Sequence, residues 1–455
     1  MNRLVAWRAA GREIAVAGLG RSGVAAARLL ASHGIRCYAS DAGTSEATAD
    51  AARALVAGYP TLVHAEAGTH DLGRIAHCAA LVLSPGIPPE APAVRAALDA
   101  GIPVIAEAQL GLDALGDVPY VAVTGTNGKT TTTALIDHLF RAAGRDSLAA
   151  GNIGTPLTAV ALREPRPHWL AVELSSFQLH DTPDVMPAVG VLTNLAPDHL
   201  DRYPSLGAYY ADKARLFANA TTRSIWVGNL DDADSRAMLG EVTLGRHLRF
   251  STEAHADAWY DRAAGMLVLA GAPLLPRREL PLLGDHNVAN ALAASLAVHA
   301  TGVGHGPIAD GLRTFRALTH RMEPVREVDG VVWINDSKAT NIASTLVAVA
   351  AMDRPFVLLL GGRHKGEPYT VLREALRARA VAVVAYGEAG DLVERDLGDA
   401  VRVVRATEFR EVLAAARALA PAGGAVLLSP ACSSYDMFDN YEQRGALFRA
   451  LVEAM

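Results

Sequence analysis

Short apolar runs alternate with alanine-rich segments of helical pattern along most of the 455 residues. Strands that alternate with helices in this way form mostly parallel sheets with helices on their faces. The sequence therefore predicts an α/β protein. The apolar runs are Glu13–Ala17, Ala80–Ser84, Tyr120–Thr124, Trp169–Glu173, Val189–Thr193, Val331–Asn335, Phe356–Gly361, Ala380–Tyr386 and Ala425–Ser429.

The chain length predicts about three domains of ~150 residues each. Joints are expected near residues 107 and 317, which gives domains 1–107, 108–316 and 317–455. We expect a Rossmann-like N-terminal domain, a central domain similar to phosphate-loop ATPases, and a Rossmann-like C-terminal domain. Residues 242–283 are richer in β-type residues and turns, so a small antiparallel sheet is expected beside the mostly parallel central one.

The charge and the cysteine content exclude several classes of protein. The net charge of −6 gives no reason to expect nucleic acid as a partner. Three scattered cysteines fit a reducing, cytoplasmic compartment and exclude a zinc ribbon or a disulfide framework. The longest apolar run, from Ile342 to Met352, is shorter than the ~18–20 residues of a membrane span, so no span is expected.

Arginine supplies almost all of the positive charge. Only four of the 42 basic side chains are lysines, namely Lys129, Lys213, Lys338 and Lys365. Lysine is a compact ammonium that can lose its proton and react, whereas arginine is a planar fork that stays charged. A lysine kept against this bias is a candidate site residue, and retention by chance at the surface is the alternative.

A glycine-rich turn follows the first predicted strand. Gly18, Gly20 and Gly23 frame Ser22 before a predicted helix, and Asp41 follows the next strand about twenty residues on. Such glycines permit a tight turn, and the start of the helix can hold a diphosphate. A tight turn that binds nothing is the alternative.

A second glycine-rich loop, Thr-Gly-Thr-Asn-Gly-Lys-Thr-Thr at residues 124–131, lies between a predicted strand and a predicted helix. Backbone N–H groups of such a loop cradle phosphates, Lys129 reaches the terminal ones, and the Thr130 hydroxyl is placed for Mg²⁺. The general pattern has a glycine where this chain has Val123, so the loop is a compact version. A glycine turn without a ligand is the alternative.

Further polar residues follow the strands of the central region. Glu173 closes a strand, where a carboxylate beside a phosphate loop suits a metal ion, although it could equally begin a helix. His199 lies among acidic residues in the segment 194–202, and a lone histidine is either structural or a metal ligand. Asn287 opens an alanine-rich helix, where it could cap the helix or hold a base or a phosphate.

Three polar loops follow predicted strands near the C-terminus, at residues 335–341, 361–366 and 429–436. Open α/β sheets bind ligands at the edge where parallel strands end. Two of the loops carry the rare lysines Lys338 and Lys365, so together they predict a small anionic substrate.

Taken together, the motifs resemble the Mur ligase family, in order and across essentially the whole chain. The segments that carry the resemblance are GTNGKTT, ELSSFQL, NLAPDHLDRY, YYADKARLF, HNVANALAA, HRME, NDSKATN, GGRHKG and LSPACSSYDMFDNYEQRG. The NDSKATN segment and the last segment are specific to the branch of the family that adds glutamate.

The resemblance implies an ATP-dependent ligase that adds D-glutamate to UDP-N-acetylmuramoyl-L-alanine. The alanyl carboxylate would be converted into an acyl phosphate, and the amine of glutamate would then displace the phosphate. The reaction belongs to the cytoplasmic stage of peptidoglycan biosynthesis, and we expect a monomer with small-molecule substrates. Because two anions meet in the first step, a lysine and two Mg²⁺ ions would offset their repulsion.

The resemblance also implies roles for single residues, in groups that share a ligand. The ATP-binding residues would be Gly125, Thr126, Asn127, Gly128, Lys129, Thr130, Thr131, Thr132, Asn287, Arg321 and Asp336. The metal ligands would be Thr130, Glu173, His199 and Lys213, and the catalytic residues Lys129, His199 and Lys213. The UDP-substrate residues would be Gly18, Gly20, Ser22, Gly23, Asp41, Ser84, Asn152, Ser175 and Gln178, and the glutamate residues Lys338, Thr340, Lys365, Ser434 and Tyr441.

In the family, the lysine at the position of Lys213 is carbamylated by CO₂, which turns a cation into a carboxylate-like ligand. Arginine cannot undergo this reaction. The resemblance therefore offers a reason why a lysine persists at this position.

Alternatives remain at the level of the substrate and of the class. Tyr441 stands where many relatives have phenylalanine, and Arg363 and His364 replace a more variable pair, so a ligase that adds L-glutamate is one alternative. Folylpolyglutamate synthases share the phosphate loop and the histidine but not the C-terminal loops. A nicotinamide oxidoreductase would leave the phosphate loop unexplained, and a nucleotide-switched binding module would form no amide.

Overall fold

A computed structural model describes residues 3–199 and 202–455 and confirms the predicted α/β class. The chain divides into two compact units. Unit 1 comprises Met1–Arg277 and Ala289–Arg313, and unit 2 comprises Arg278–Val288 and Thr314–Met455. Within the described residues, no helix is long and apolar enough to cross a membrane. The three domain bounds given above stay a prediction.

The first sheet of unit 1 has five parallel strands in the described chain before residue 107, in the order β3-β2-β1-β4-β5. The strands are β1 (Ile14–Ala17), β2 (Cys37–Asp41), β3 (Val63–Ala67), β4 (Leu81–Leu83) and β5 (Val104–Ala106). The helices are α1 (Arg3–Ala10), α2 (Arg21–Ser32), α3 (Glu46–Gly58), α4 (Leu72–His77), α5 (Pro92–Asp99) and α6 (Glu107–Leu115). The strand order reverses direction between β1 and β4, and such a switch point opens a ligand crevice at the carboxyl ends of the strands.

The second sheet of unit 1 has nine strands among the described residues, in the order β14-β13-β12-β11-β10-β9-β6-β8-β7. The strands are β6 (Tyr120–Thr124), β7 (Ser147–Gly151), β8 (Trp169–Glu173), β9 (Val189–Leu192), β10 (Ile225–Asn229), β11 (Arg246–Ser251), β12 (Ala258–Asp261), β13 (Met266–Leu269) and β14 (Ala272–Pro276). The helices after β6 are α7 (Lys129–Ala142), α8 (Leu157–Ala161), α9 (Ser176–His180), α10 (Leu206–Ala214), α11 (Ala233–Gly240), α12 (Asp285–Ala300) and α13 (His305–Thr314).

The expected antiparallel strands are present as β12–β14, and they extend the parallel sheet instead of forming a separate one. β12 pairs with β11 in parallel, and β13 and β14 then pair antiparallel. The centre of the sheet is apolar, since every residue of β6 and of β9 is buried. Continuous burial is expected of parallel strands that are covered by helices on both faces.

Unit 2 contains a sheet of six strands within the described residues, in the order β15-β16-β20-β17-β18-β19. The strands are β15 (Glu323–Val328), β16 (Val331–Asn335), β17 (Phe356–Gly361), β18 (Ala380–Tyr386), β19 (Val403–Arg405) and β20 (Ala425–Leu428). The helices are α14 (Ile342–Ala350), α15 (Arg373–Arg379), α16 (Gly390–Leu397), α17 (Phe409–Leu419) and α18 (Tyr441–Glu453). β20 lies between β16 and β17, so the three polar loops that follow these strands leave from one edge of the sheet.

Candidate active site

The glycine turn after β1 packs against residues from two neighbouring strand ends. Gly18 has φ +96°, and a Cβ there would lie 2.6 Å from the Ser84 hydroxyl oxygen. A Cβ at Gly23 would lie 1.8 Å from the Gly18 carbonyl oxygen. The Asp41 carboxylate accepts a hydrogen bond from the backbone N–H of Leu19 at 2.7 Å. These contacts bring the predicted UDP-substrate residues Gly18, Gly23, Asp41 and Ser84 together.

One buried polar group in this crevice, the Ser84 hydroxyl, has no hydrogen-bond partner among the described residues. Buried polar groups are nearly always hydrogen-bonded, so an unpaired one needs an explanation. Of the other predicted residues of this turn, Ser22 lies in the first turn of α2. Gly20 directly precedes α2, and the space around it is open, since a Cβ there would meet nothing within 4 Å.

The phosphate loop lies between β6 and α7. Gly125 has φ +141°, and a Cβ there would lie 2.0 Å from the Thr193 hydroxyl oxygen. Gly128 has φ +80°, and a Cβ there would lie 2.3 Å from Asn290 Oδ1. Both glycines are required by their left-handed backbone and by their neighbours. The remaining predicted members, Thr126, Asn127 and Thr130–Thr132, lie in the loop and in the first turns of α7.

Two of the rare lysines meet at one carbonyl of this loop. The Gly125 carbonyl accepts hydrogen bonds from Lys129 Nζ at 2.9 Å and from Lys213 Nζ at 2.7 Å. Lys213 lies on α10, which begins after the Ser205 cap, and its side chain is 1% exposed. Burial, reinforced by the charge of Lys129, lowers the pKa of Lys213 to about 6. The neutral amine of Lys213 is therefore much more populated near neutral pH than that of an exposed lysine.

Glu173 lies at the end of β8, beside the phosphate loop. Its side chain is buried, and Oε1 accepts a hydrogen bond from Asn152 Nδ2 at 2.8 Å. Oε2 is also buried and has no partner in the described part of the chain. A buried carboxylate oxygen without a partner is costly unless a cation occupies the adjacent space.

His199 is surrounded by aromatic rings. Its ring centroid lies 5.1 Å from that of Phe177 and 6.0 Å from that of Tyr209. The Tyr209 ring also lies 4.5 Å from Lys213 Nζ. Residues 200 and 201 of the predicted polar segment lie outside the described residues. Within the described ranges, no group of three or more His, Cys, Asp or Glu side chains is arranged to hold a metal ion.

Ser175 and Gln178 have a structural role at the start of α9. The Ser175 hydroxyl accepts a hydrogen bond from the Gln178 backbone N–H, and Gln178 Oε1 accepts one from the Ser175 backbone N–H. This pair is a capping box, which satisfies the first N–H groups of the helix. Gln178 Nε2 remains buried without a partner among the described residues.

In unit 2, four of the five predicted glutamate residues lie in the three polar loops, and the fifth, Tyr441, is the first residue of α18. Lys338 Nζ donates to the Tyr441 hydroxyl at 2.8 Å and lies 4.5 Å from the centre of the Tyr441 ring. Lys365 Nζ donates to the Thr340 hydroxyl at 3.4 Å. Ser434 is buried.

Asp336, Arg321 and Asn287 also lie in unit 2. The Asp336 carboxylate accepts from the Met322 N–H at 3.1 Å and from the Ser429 hydroxyl at 2.9 Å. Burial raises the pKa of Asp336 to about 7. Arg321 precedes Met322 in the same turn, and Asn287 Nδ2 donates to the Leu283 carbonyl at 2.8 Å.

Two supporting residues are not assigned from the sequence. Arg444 is fully buried and donates to the Ser337 hydroxyl, the Ser337 carbonyl and the Cys432 carbonyl at 2.7–3.2 Å, which ties two of the polar loops together. Asn194, two residues after β9, contacts the phosphate loop. In the sequence it is the first residue of the segment NLAPDHLDRY, and no role is predicted for it there.

The fold and the site define a ligase of the Mur type. Family models match for the N-terminal domain of Mur ligases of the MurD-like kind at residues 12–106, for the Mur ligase middle domain at 123–298 and for the Mur ligase glutamate ligase domain at 320–432. The chain belongs to the Mur ligase family, whose members are ATP-dependent ligases that generally require Mg²⁺.

Among curated proteins, the chain is similar to UDP-N-acetylmuramoylalanine–D-glutamate ligases. The enzyme of Salinibacter ruber is 40% identical over 97% of this chain and 97% of its own length. The enzyme of Myxococcus xanthus is 39% identical over 98% of this chain and 99% of its own length.

Solved structures support the fold alone. The UDP-N-acetylmuramate–alanine ligase of Thermotoga maritima has a TM-score of 0.61 and 18% identity, and the match covers 97% of this chain and 99% of that one. A pseudomurein peptide ligase type C from Methanothermus fervidus has a TM-score of 0.60 and 18% identity over the same shares.

Proposed function

We propose that this chain joins D-glutamate to UDP-N-acetylmuramoyl-L-alanine with conversion of ATP to ADP and phosphate. Relatives at 36–40% identity over nearly their full length carry the name of this activity. The observation that carries the proposal is the meeting of Lys129, Lys213 and the phosphate loop at one sheet edge, with Glu173 at the end of the next strand. The nucleotide-linked substrate assigns the step to the cytoplasmic stage of peptidoglycan synthesis, and we propose a monomer.

The roles of the three proposed domains follow from their loops. Residues 1–107 would bind the UDP moiety at the Gly18–Gly23 turn, where the unpaired Ser84 hydroxyl and the start of α2 offer donors. Residues 108–316 would bind ATP at the phosphate loop. Residues 317–455 would bind glutamate through Lys338 and Lys365, which suit its two carboxylates.

The nucleotide would be held first of all by the phosphate loop. Gly125–Thr132 would surround the phosphates, and the absence of side chains at Gly125 and Gly128 keeps the loop close to its neighbours. Asn287, Arg321 and Asp336 are the further residues proposed to contact the nucleotide. Lys129 would turn from the Gly125 carbonyl toward the phosphates, since a charged phosphate oxygen is the stronger hydrogen-bond acceptor.

Two Mg²⁺ ions are proposed to bind to residues of unit 1. The unpaired Glu173 Oε2 and the Thr130 hydroxyl would hold one ion, and His199 and Lys213 would hold the other. Bound Mg²⁺ would offset the negative charge that accumulates when a carboxylate approaches a phosphate. Asn152, which donates a hydrogen bond to the Glu173 carboxylate, would orient this carboxylate toward the ion.

Lys213 would be a metal ligand only after modification. Its neutral amine can attack CO₂, so that an N–C bond forms, a proton is released and a carbamate anion results. The pKa of about 6 supports this step, because the neutral amine is the reacting form. The carbamate would then supply the oxygen ligands that Mg²⁺ prefers.

Amide synthesis would proceed in two steps, and the residues of this chain would orient the reacting groups. The alanyl carboxylate attacks the γ-phosphorus of ATP, which gives an acyl phosphate and ADP. The amine of glutamate then attacks the acyl carbon, the attacking nitrogen loses a proton, and the tetrahedral adduct expels phosphate to leave the amide. The Lys129 ammonium stabilises the charge on the transferred phosphoryl group.

The test is phosphate release with ATP, Mg²⁺ and UDP-N-acetylmuramoyl-L-alanine, run in parallel with D-glutamate and L-glutamate. Turnover with D-glutamate and none with L-glutamate supports the proposal. Turnover with L-glutamate alone would replace it by the L-glutamate ligase and direct attention to Arg363, His364 and Tyr441.

A further inference from the structure

The phosphate loop is held in shape by the chain that follows β9. The Asn127 N–H donates to Asn194 Oδ1 at 2.9 Å, and Asn194 Nδ2 donates back to the Asn127 carbonyl at 3.1 Å. The Thr126 N–H donates to the Asn194 backbone carbonyl at 2.8 Å. The Thr193 hydroxyl donates to the Asn127 carbonyl at 2.6 Å. Two consecutive residues directly after β9, Thr193 and Asn194, therefore satisfy three backbone groups of the loop.

Only a carboxamide can make the pair of bonds to Asn127. It presents a donor and an acceptor side by side, whereas an ionised aspartate only accepts and an aliphatic side chain does neither. The pairing resembles one rung of a sheet ladder, with the Asn194 side chain in place of a backbone. It fixes the peptide groups on both sides of Asn127, two residues before Lys129.

The loop has a compact form. Val123 occupies the position of the first glycine of the general pattern, inside the buried strand β6. Gly125 leaves space that the Thr193 hydroxyl fills, since a Cβ on Gly125 would lie 2.0 Å from that oxygen. The loop and the residues after β9 are therefore shaped for each other.

The same segment leads toward His199. The Ala196 N–H donates to the Thr126 hydroxyl at 3.0 Å, and that hydroxyl donates to the Ala196 carbonyl at 3.1 Å. The Leu195 N–H donates to Asp232 Oδ2 at 2.6 Å, which anchors the segment on the other side. The segment 194–199, which ends at His199, is thus bonded to the phosphate loop at Asn194 and Ala196.

We propose that Asn194 is a positioning residue for the bound nucleotide: its carboxamide clamps the peptide groups around Asn127 and holds the phosphate loop in its binding shape. This inference rests on the proposed use of Gly125–Thr132 for ATP. Asn194 would act through the loop and not through a contact with substrate. Loss of the clamp lets the loop relax, so that binding of ATP must first restore its shape.

The experiment compares Asn194→Ala and Asn194→Asp with Asn219→Ala. Asn219 is a matched control, because its Nδ2 also donates to two backbone carbonyls, of Pro183 and Val185, away from the loop. The Michaelis constants for ATP, UDP-N-acetylmuramoyl-L-alanine and D-glutamate are measured for each variant, together with the melting temperature.

We expect the KM for ATP to rise about tenfold or more in Asn194→Ala, as for the loss of two hydrogen bonds. The constants for the other substrates should stay within about twofold, and the melting temperature should fall no further than in Asn219→Ala. Asn194→Asp should raise the KM for ATP more than Asn194→Ala does, because its carboxylate faces the Asn127 carbonyl and adds negative charge near the phosphates.

An unchanged KM for ATP in Asn194→Ala, or a parallel rise for all three substrates, would overturn the positioning role. If Asn194→Ala does not fold, Asn194→Asp carries the test, since it keeps the side-chain volume and the acceptor. Wild-type protein without ATP-dependent turnover would instead count against the proposed function, so the two failures can be told apart.

Discussion

Gly128→Ala tests the geometry of the phosphate loop most sharply, because the same helix supplies its control. Gly128 precedes α7 and Gly144 follows it, and both have a left-handed backbone, with φ +80° and φ +72°. A Cβ at Gly144 meets nothing within 4 Å, whereas a Cβ at Gly128 lies 2.3 Å from Asn290 Oδ1. The two variants therefore share the backbone strain and differ in the collision.

The magnitudes follow from these contacts. A left-handed alanine costs about 1–2 kcal/mol relative to glycine, and Gly144→Ala should lose that amount. In Gly128→Ala the buried Asn290 must also turn away, and its Oδ1 then loses the hydrogen bond from the Thr132 hydroxyl at 3.2 Å. A buried group left unsatisfied costs about 1–3 kcal/mol, so the total is about 2–5 kcal/mol.

The assay is urea unfolding of both alanine variants, each alone and combined with Asn290→Ala. Removal of the Asn290 side chain abolishes the collision, so Gly128→Ala should then cost about as much as Gly144→Ala. Equal losses in the two single variants would refute the reasoning, and so would a cost for Gly128→Ala that Asn290→Ala leaves unchanged.

Three further predictions concern the other parts of the site. Lys213→Arg should lower phosphate release at least about a hundredfold and keep ATP binding within a few-fold in a fluorescence titration, because arginine stays protonated and cannot form a carbamate; full activity would contradict this. Gly362→Ala should raise the KM for glutamate in steady-state kinetics, because its Cβ would lie 2.3 Å from the Ser433 carbonyl oxygen. Gly366→Ala shares the left-handed backbone but meets nothing within 4 Å, so it should raise that KM less, and an equal rise in both variants would contradict the prediction. Asp336→Asn should flatten the pH dependence of the free energy of unfolding. The pKa of Asp336 is about 7 in the folded state and 3.8 in the unfolded state, so the wild type loses stability as the pH rises between these values. The loss is at most about 1.4 kcal/mol per pH unit. Urea unfolding of both proteins from pH 5 to pH 8 measures the difference, and parallel curves would contradict it.

The elements that the sequence predicts well are those with a local cause. The buried strand β6 and the glycines at 125 and 128 are visible because strand composition and left-handed turns leave direct marks on the sequence. The lysine scarcity singled out Lys129 and Lys213, and the structure brings both to the Gly125 carbonyl.

Other features depend on contacts between distant segments. The insertion of β20 between β16 and β17 brings loops together that lie up to about ninety residues apart, and no local pattern specifies that order. The sequence pattern around Arg444 predicts an ordinary helical arginine. In the structure, Arg444 is fully buried and joins two of these loops. The short helix α1 buries only Leu4, so it lacks an amphipathic signal.

Ser175 and Gln178 illustrate a different limit. Their spacing matches a capping box as well as a substrate contact, and the structure shows the capping box. The capping box uses only Oε1 of the Gln178 side chain. Gln178 Nε2 lacks a partner among the described residues, so the same side chain can still donate to a ligand. Their role toward the substrate stays a prediction.

The central claim is that ATP activates the substrate carboxylate, and an isotope experiment tests it most directly. UDP-N-acetylmuramoyl-L-alanine labelled with ¹⁸O in the alanyl carboxylate is turned over with ATP, Mg²⁺ and D-glutamate, and the released phosphate is analysed by mass spectrometry. The account predicts one ¹⁸O atom in each phosphate formed from fully labelled substrate, because the carboxylate oxygen that attacks phosphorus leaves with it. Phosphate without ¹⁸O, whose fourth oxygen then comes from water, would show that ATP is hydrolysed without activation of the carboxylate, and would contradict the proposed mechanism.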